Sequence, residues 1–230
     1  MDEHQRDERH GAQPARAKKV LLNADAERLG VTTRRVAGIV GVTALTLVAL
    51  IVGVQVYSAW TSRHAYDALR GTPFAPERSA PAAMLVDQRG RPAPLVAASS
   101  PATFVFFGYT HCKEACPLAL ATLAKAYRTL PKSSGVRVEM VTVDPAHDDP
   151  AALRRFVTQF DPQFVGLTAK KSELKPIWST FDVVVDAKTN DVVHGEAIYL
   201  VDRARKIVAL YPPDVAPADL AHDARILAGI

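Results

Sequence analysis

The sequence predicts an α/β domain that follows an N-terminal transmembrane helix. Two observations predict the domain: apolar runs of strand length alternate with segments of helical spacing, and the chain closes with two adjacent strands and a helix. A stretch without any charged residue, from Val36 to Ser62, predicts the membrane helix. About 150 residues remain for the domain, which is enough for one substantial core.

The uncharged stretch exceeds the length of about 20 apolar residues that a spanning helix requires. Eight Lys or Arg residues precede it, and Tyr57 and Trp60 suit a membrane interface. Because positive flanks stay inside, we expect a single-pass protein of the inner cell membrane with a cytoplasmic N-terminus and a periplasmic or otherwise extracytoplasmic domain. A cleaved signal peptide is the alternative, but an h-region has only about 7–15 residues and no clear cleavage site follows.

Four segments are predicted along the chain. They are a polar cytoplasmic tail at 1–35, the anchor at 36–60, a linker at 61–80 and the globular domain at 81–230. The linker is rich in polar residues, Pro and Gly, which is typical of a tether that holds a domain away from the membrane.

The basic character of the chain, with a sequence pI of about 9.1, does not indicate a nucleic-acid-binding surface. Eight of the 28 Lys plus Arg residues and six of the 24 Asp plus Glu residues lie in the first 35 positions. The rest of the chain therefore carries 20 basic and 18 acidic residues and is close to neutral. The charge distribution reports membrane topology, and we expect no nucleic-acid partner.

The elements of the domain are predicted from periodicity and turn residues. A strand at 82–86, a turn at 87–90 and a returning strand at 95–96 form a hairpin. The continuous apolar run Thr103–Gly108 predicts a strand buried on both faces. Further elements are helices at 117–130, 150–160 and 171–181, strands at 136–143, 197–202 and 206–210, and a closing helix at 217–227. Pro176 must sit in the first turn of its helix or kink it.

The two cysteines of the chain, Cys112 and Cys116, lie between a buried strand and the helix after it, where open α/β sheets place reactive groups. Pro117 fits the first turn of a helix, so Cys112 should lie in the preceding loop. A helix N-terminus favours thiolates, and two soft thiolates suit either Cu(I) or a reversible disulfide. A disulfide closing so short a loop would constrain the unfolded chain little, which disfavours a purely structural role. Inert buried cysteines are the remaining alternative.

A third ligand has to be sought among seven histidines. His194 precedes an apolar strand and is one candidate. His147 follows the second central strand near the same sheet edge and is the serious alternative. His111 adjoins Cys112, but neighbouring side chains of an extended segment diverge, so we expect it to be exposed. The others lie in the tail, the linker and the last helix: His4, His10, His64 and His222.

Four motifs, in order, resemble the Sco/SenC family. They are Phe106–Pro117, Val141–Asp148, Gly166–Thr168, and Val193–Gly195 followed by Ile198–Asp202. The resemblance covers about residues 81–211. It implies a thioredoxin-like fold, one copper ion, Cu(I) or Cu(II), held by Cys112, Cys116 and His194, and a role in building the dinuclear copper centre of cytochrome c oxidase subunit II.

The sequence departs from the family pattern at three places. Lys113-Glu114 stand where the family usually has Pro-Asp, His147 replaces Arg, and Gly195 replaces Ser. None of these departures removes a ligand implied by the resemblance. These departures are compatible with a divergent member of the family that has a different copper affinity or a different client protein.

The resemblance favours a metallochaperone rather than an enzyme, with subunit II as its client and other copper carriers or thioredoxin-like reductants as further partners. A thiol–disulfide oxidoreductase that uses Cys112 and Cys116 as its redox pair is the main alternative. Thioredoxins use C-x-x-C, whereas the spacing here is C-x-x-x-C, and simple exchange has no place for a third ligand. A peroxidase ranks third, because His147 stands where its Arg is needed, and a scaffold without chemistry ranks fourth.

Overall fold

The computed structural model describes residues 44–57, 66–185, 192–194 and 197–230, with the backbone alone at 192–194. The chain divides into two units, Met1–Thr61 and Ser62–Ile230. In the first unit, residues 44–57 form helix α1. None of the helices in the described ranges is both long and apolar enough to cross a membrane. The predicted tail and the remaining parts of the predicted anchor, 36–43 and 58–60, lie outside the described residues.

In its described residues, the second unit contains an eight-stranded mixed sheet and a separate two-stranded pair. The strands are β1 (Thr72–Pro73), β2 (Met84–Asp87), β3 (Pro92–Pro94), β4 (Ala102–Gly108), β5 (Arg137–Thr142), β6 (Val165–Thr168), β7 (Val184–Val185), β8 (Val192–His194), β9 (Ile198–Asp202) and β10 (Ile207–Tyr211). The order across the large sheet is β1-β10-β9-β4-β5-β6-β2-β3, and β7 pairs with β8. Strands β4, β5 and β6 are parallel, and the other neighbouring pairs are antiparallel.

Helices cover both faces of the large sheet. They are α2 (Ala115–Tyr127), α3 (Pro150–Val157), α4 (Lys171–Thr180) and α5 (Pro217–Ala228), with a short 3-10 helix at Lys132–Ser134. Apolar side chains of α2, α3 and α5 join one core cluster, and those of α4 join the other. The predicted α/β architecture is therefore confirmed.

Strand β4 lies between the two core clusters. Its alternate residues point to opposite faces, so that Phe104 and Phe106 join the first cluster and Val105 and Phe107 join the second. All of its residues are buried. This explains why the apolar run is continuous rather than alternating, as the sequence predicted.

The predicted first hairpin is confirmed, but its second strand lies earlier than expected. It is β3, Pro92–Pro94, and it is followed by buried Leu95 and Val96. Val96 has a φ of 55°, which no strand allows, and its N–H donates to the Glu139 carboxylate at 2.9 Å. A buried carboxylate thus replaces a strand as the partner of this N–H.

The predicted linker at 61–80 is wrong from Tyr66 onward, because this segment packs on the domain. Strand β1 pairs with β10, and Phe74 is buried in the second core cluster. The carboxylate of Asp223 accepts hydrogen bonds from the backbone N–H groups of Arg70 and Gly71 at 2.8–3.0 Å. The folded domain therefore begins about fifteen residues earlier than the predicted residue 81.

The predicted helices of the globular domain are confirmed, with ends shifted by a few residues. Helix α3 begins at Pro150, and the Asp149 side chain caps it by accepting a hydrogen bond from the N–H of Ala152 at 2.6 Å. Pro176 lies well inside α4 rather than in its first turn. Four short strands, β1, β6, β7 and β8, are absent from the sequence prediction.

Candidate metal site

The candidate site is built on the loop that joins β4 to α2. Cys112 lies in this loop, and Cys116 lies in the first turn of α2, as Pro117 predicted. Cys116 is buried in the first core cluster, whereas Cys112 is half-buried against its edge. One sulfur is therefore held by the core and the other lies in a loop at the surface.

The two cysteines interact directly, and no disulfide joins them. The backbone N–H of Cys116 donates a hydrogen bond to the sulfur of Cys112 across 3.3 Å. Glu114, at the N-cap position of α2, makes no side-chain hydrogen bond to the helix. The Cys112 sulfur thus accepts one of the N–H groups that a helix N-terminus leaves without an intrahelical partner.

Gly108, the last residue of β4, provides space for the second sulfur. A Cβ atom built at Gly108 would lie 2.8 Å from the Cys116 sulfur, which is closer than such atoms approach each other. The same Cβ would lie 2.8 Å from the Phe106 ring, so any larger residue would displace the sulfur, the ring or the strand. Gly108 belongs to the first sequence motif, but this contact is visible only in three dimensions.

Asp148 fixes the loop that carries Cys112. This carboxylate is fully buried and accepts hydrogen bonds from the N–H and hydroxyl of Thr110 at 3.1 and 2.6 Å. It also accepts the hydroxyl of Thr142, the last residue of β5, at 2.5 Å. The cysteine loop is therefore tied to the end of the neighbouring strand. Asp148 belonged to a motif in the sequence, but only its burial reveals this role.

The backbone of His194 is described, at the end of β8 and opposite Val184, but its side chain lies outside the described residues. Strand β9 begins four residues later with Ile198, which pairs with Phe106 near the end of β4. Four residues span at most about 14 Å, so the backbone of His194 lies within that distance of Ile198, the first residue of β9.

Two further histidines lie at the cysteine loop: His111 is part of the loop and His147 lies beside it. His147 contacts Asp144, with 2.7 Å between Nδ1 and Oδ2. His111 is exposed, as predicted, but its ring contacts the ring of His147, with 6.2 Å between their centroids. Across the side chains that the structure describes, no three His, Cys, Asp or Glu residues converge as a metal site. The described donors at the cysteine site are therefore its two sulfur atoms, whose softness suits copper.

Comparisons with known proteins agree with the sequence motifs. The SCO1/SenC family profile matches residues 76–229. The SCO2 homologue of mouse mitochondria is 32% identical over 127 residues, which cover 51% of this chain and 50% of that protein. The chain thus spans about half the length of the curated relatives it matches.

Solved structures share the fold. ScoI of Bradyrhizobium japonicum, solved with copper bound, is 29% identical, with a TM-score of 0.54, over 69% of this chain and 98% of that one. BsSco, a member of the Sco family of cytochrome c oxidase assembly proteins in which a disulfide switch was identified, is 20% identical, with a TM-score of 0.57, over 71% and 99%. The thioredoxin-like fold implied by the sequence resemblance is confirmed. With the profile spanning about two thirds of its length, the chain belongs to the SCO1/SenC family.

Proposed function

We propose that this protein is a copper chaperone that binds one copper ion through Cys112, Cys116 and His194. It delivers the ion to the dinuclear copper centre of cytochrome c oxidase subunit II during assembly of the oxidase. The observation that carries the proposal is the contact between the Cys112 sulfur and the N–H of Cys116, which holds two sulfur donors together at the start of α2. The copper-bound ScoI structure and the assembly role of the Sco family of BsSco support it.

The donor chemistry fits copper as a cargo. Thiolates are soft ligands that bind Cu(I) in preference to oxygen donors, and imidazole is a common third ligand for copper. Cys116 is fixed by the core, while Cys112 is half-buried and reachable from solvent. A client can therefore approach the ion from the side of Cys112 while Cys116 still holds it.

The proposal includes the location of the site. The apolar segment at 36–60 anchors the chain in the inner cell membrane, and the basic residues before it keep the N-terminus in the cytoplasm. The domain then works outside the cytoplasm, where subunit II would receive its copper. A reporter fused after Ile230 tests this topology: activity outside the cytoplasm supports it, and activity in the cytoplasm contradicts it.

A thiol–disulfide oxidoreductase acting on the client's copper-ligand cysteines is the second candidate. The contact between Cys112 and Cys116, which are not joined by a disulfide, favours it, as does the disulfide switch identified in BsSco. Two thiols suffice for that activity, whereas copper delivery also requires the imidazole of His194. The two functions therefore differ in their dependence on one residue.

The deciding experiment compares single substitutions in cells that lack the native protein. His194→Ala retains both thiols, so we expect disulfide exchange by the purified chain to continue while the copper centre of the oxidase is lost. Cys112→Ser should abolish both activities. His147→Ala is the matched histidine control and should support assembly. Normal assembly with His194→Ala but not with Cys112→Ser would favour the reductase, and failure of His147→Ala alone would move the ligand assignment to His147.

A further inference from the structure

Two histidines, one in the cysteine loop and one beside it, have no part in the proposed chaperone site. The rings of His111 and His147 meet edge to face, with 6.2 Å between centroids and 82° between planes. Both side chains are exposed, His147 to 65%. They come from different loops, one after β4 and the other after β5, so the fold itself brings them together.

The environment of His147 leaves one ring nitrogen available as a ligand. Its Nδ1 lies 2.7 Å from Oδ2 of Asp144. Because a carboxylate accepts hydrogen bonds, the ring donates from Nδ1, and Nε2 retains its lone pair. A carboxylate that orients an imidazole in this way is the usual partner of a metal-binding histidine.

A different chain of hydrogen bonds leaves Nε2 of His111 available as well. Nδ1 of His111 lies 3.3 Å from the hydroxyl oxygen of Thr110. That hydroxyl already donates its single proton to Asp148 at 2.6 Å. The His111 ring must therefore donate to Thr110 from Nδ1, which again leaves the lone pair on Nε2.

The separation of the rings allows both nitrogens to bind one ion. A metal–nitrogen bond of about 2.0 Å places the ion about 3.2 Å from the ring centroid, so two imidazoles on one ion have centroids at most about 6.4 Å apart. The observed 6.2 Å lies within this limit. At this separation a shared ion lies almost on the line between the two centroids, so both Nε2 atoms must turn toward that line from the observed edge-to-face arrangement.

We propose that His111 and His147 form a metal site in which their two Nε2 atoms bind one divalent first-row ion, with solvent water completing the coordination. Cu(II) is its best occupant, because imidazole suits copper and Cu(II) stands at the top of the affinity order of these ions. Asp144 is a positioning residue that holds the His147 ring. The site depends on His147, which stands where the family pattern has Arg. Cys112 and Cys116 are not ligands of this site.

The test is a Cu(II) titration of the full-length chain carrying Cys112→Ser and Cys116→Ser, followed by electron paramagnetic resonance. We expect one bound equivalent with nitrogen hyperfine structure that disappears with His111→Ala and also with His147→Ala. Asp144→Asn should weaken this equivalent about tenfold or more while retaining it, because the ring loses its carboxylate partner. Wild-type chain with its cysteines oxidised to a disulfide provides a second background if the serine variant folds poorly.

His222 supplies the matched control. Its Nδ1 lies 2.7 Å from Oδ1 of Asp223, the same pairing as in His147, but in α5. The His222→Ala variant should still bind the one equivalent of Cu(II) that His111→Ala and His147→Ala lose. Unchanged copper stoichiometry in either His111→Ala or His147→Ala, or an equal loss with His222→Ala, would overturn the proposal. Since the cysteines do not bind the ion at this site, these outcomes neither support nor contradict the chaperone proposal.

Discussion

The sulfur of Cys112 accepts a hydrogen bond from the backbone N–H of Cys116, four residues later in the chain. The contact spans 3.3 Å and joins a half-buried loop cysteine to one fixed in the core. This contact places the Cys112 sulfur at the N-terminus of α2, where the backbone N–H groups carry partial positive charge. The backbone at the start of α2 thus holds the Cys112 sulfur beside Cys116.

Gly108→Ala should weaken copper binding without removing a ligand. The added methyl group would lie 2.8 Å from both the Cys116 sulfur and the Phe106 ring, so the sulfur, the ring or β4 must move. We expect a loss of about 1–3 kcal/mol in the free energy of unfolding and a clearly lower Cu(I) affinity. Urea unfolding and competition with a Cu(I) chelator measure the two effects.

Gly166→Ala is the control for overpacking alone. It would bring a methyl group to 3.0 Å from Cβ of Leu153, which belongs to α3. This variant should lose stability but keep its Cu(I) affinity. Equal losses of affinity in both variants would show that Gly108 acts only through the stability of the fold.

Asp148→Ala should release the cysteine loop from the sheet. The substitution leaves the hydroxyls of Thr110 and Thr142 without their buried acceptor, so we expect a loss of about 3 kcal/mol in the free energy of unfolding. Copper binding should weaken as well, because Cys112 follows Thr110 in the same loop. Chemical denaturation and Cu(I) competition check both outcomes.

Asp149→Ala tests whether the effect belongs to the loop. Asp149 caps α3 and makes its hydrogen bond to Ala152, so its loss should lower stability by about 1 kcal/mol and leave copper affinity unchanged. If the two neighbouring substitutions weaken copper binding equally, the tie between Asp148 and the loop does not position Cys112.

Glu139 gives the domain a pH dependence of its own. It is fully buried in β5, and burial raises the pKa of its carboxyl, although hydrogen bonds from Val96 and Arg137 oppose the rise. The folded state therefore holds the proton more tightly than the unfolded state, in which the pKa is about 4.3. The contribution of protonated Glu139 to the free energy of unfolding is fully present below that pH. It is lost as pH rises through the raised pKa.

Glu139→Gln should remove this dependence. The difference in free energy of unfolding, wild type minus variant, should fall as pH rises above about 4.3 and then level off once the folded carboxyl is ionised. Urea unfolding of both proteins across this range measures the difference. A difference that stays constant, or that grows with pH, would contradict a raised pKa.

The parts of the fold that sequence predicts are those fixed by local pattern. The apolar run at 103–108 predicts β4 because both its faces are buried, and Pro117 predicts the start of α2 because proline fits a first helical turn. The cysteine loop between them follows directly. These elements required no knowledge of distant parts of the chain.

The features that sequence could not predict depend on contacts between distant residues. Segment 66–80 has the composition of a linker, yet it folds because Asp223, about 150 residues later, accepts its backbone N–H groups. His111 and His147 lie in two different loops and contact each other. Loops have no regular periodicity, so the directions of their side chains cannot be predicted from sequence. In the same way, the role of Gly108 follows only from the close approach of the Cys116 sulfur to it in the folded structure.

X-ray absorption at the copper edge tests the central claim most directly. The full-length chain, reduced and loaded with one equivalent of Cu(I), should show two sulfur neighbours and one nitrogen neighbour per copper. The nitrogen contribution should be lost with His194→Ala and retained with His147→Ala, since His147 lies outside the proposed set of three ligands. A wild-type spectrum without copper–sulfur scattering would contradict the claim that Cys112 and Cys116 hold the ion.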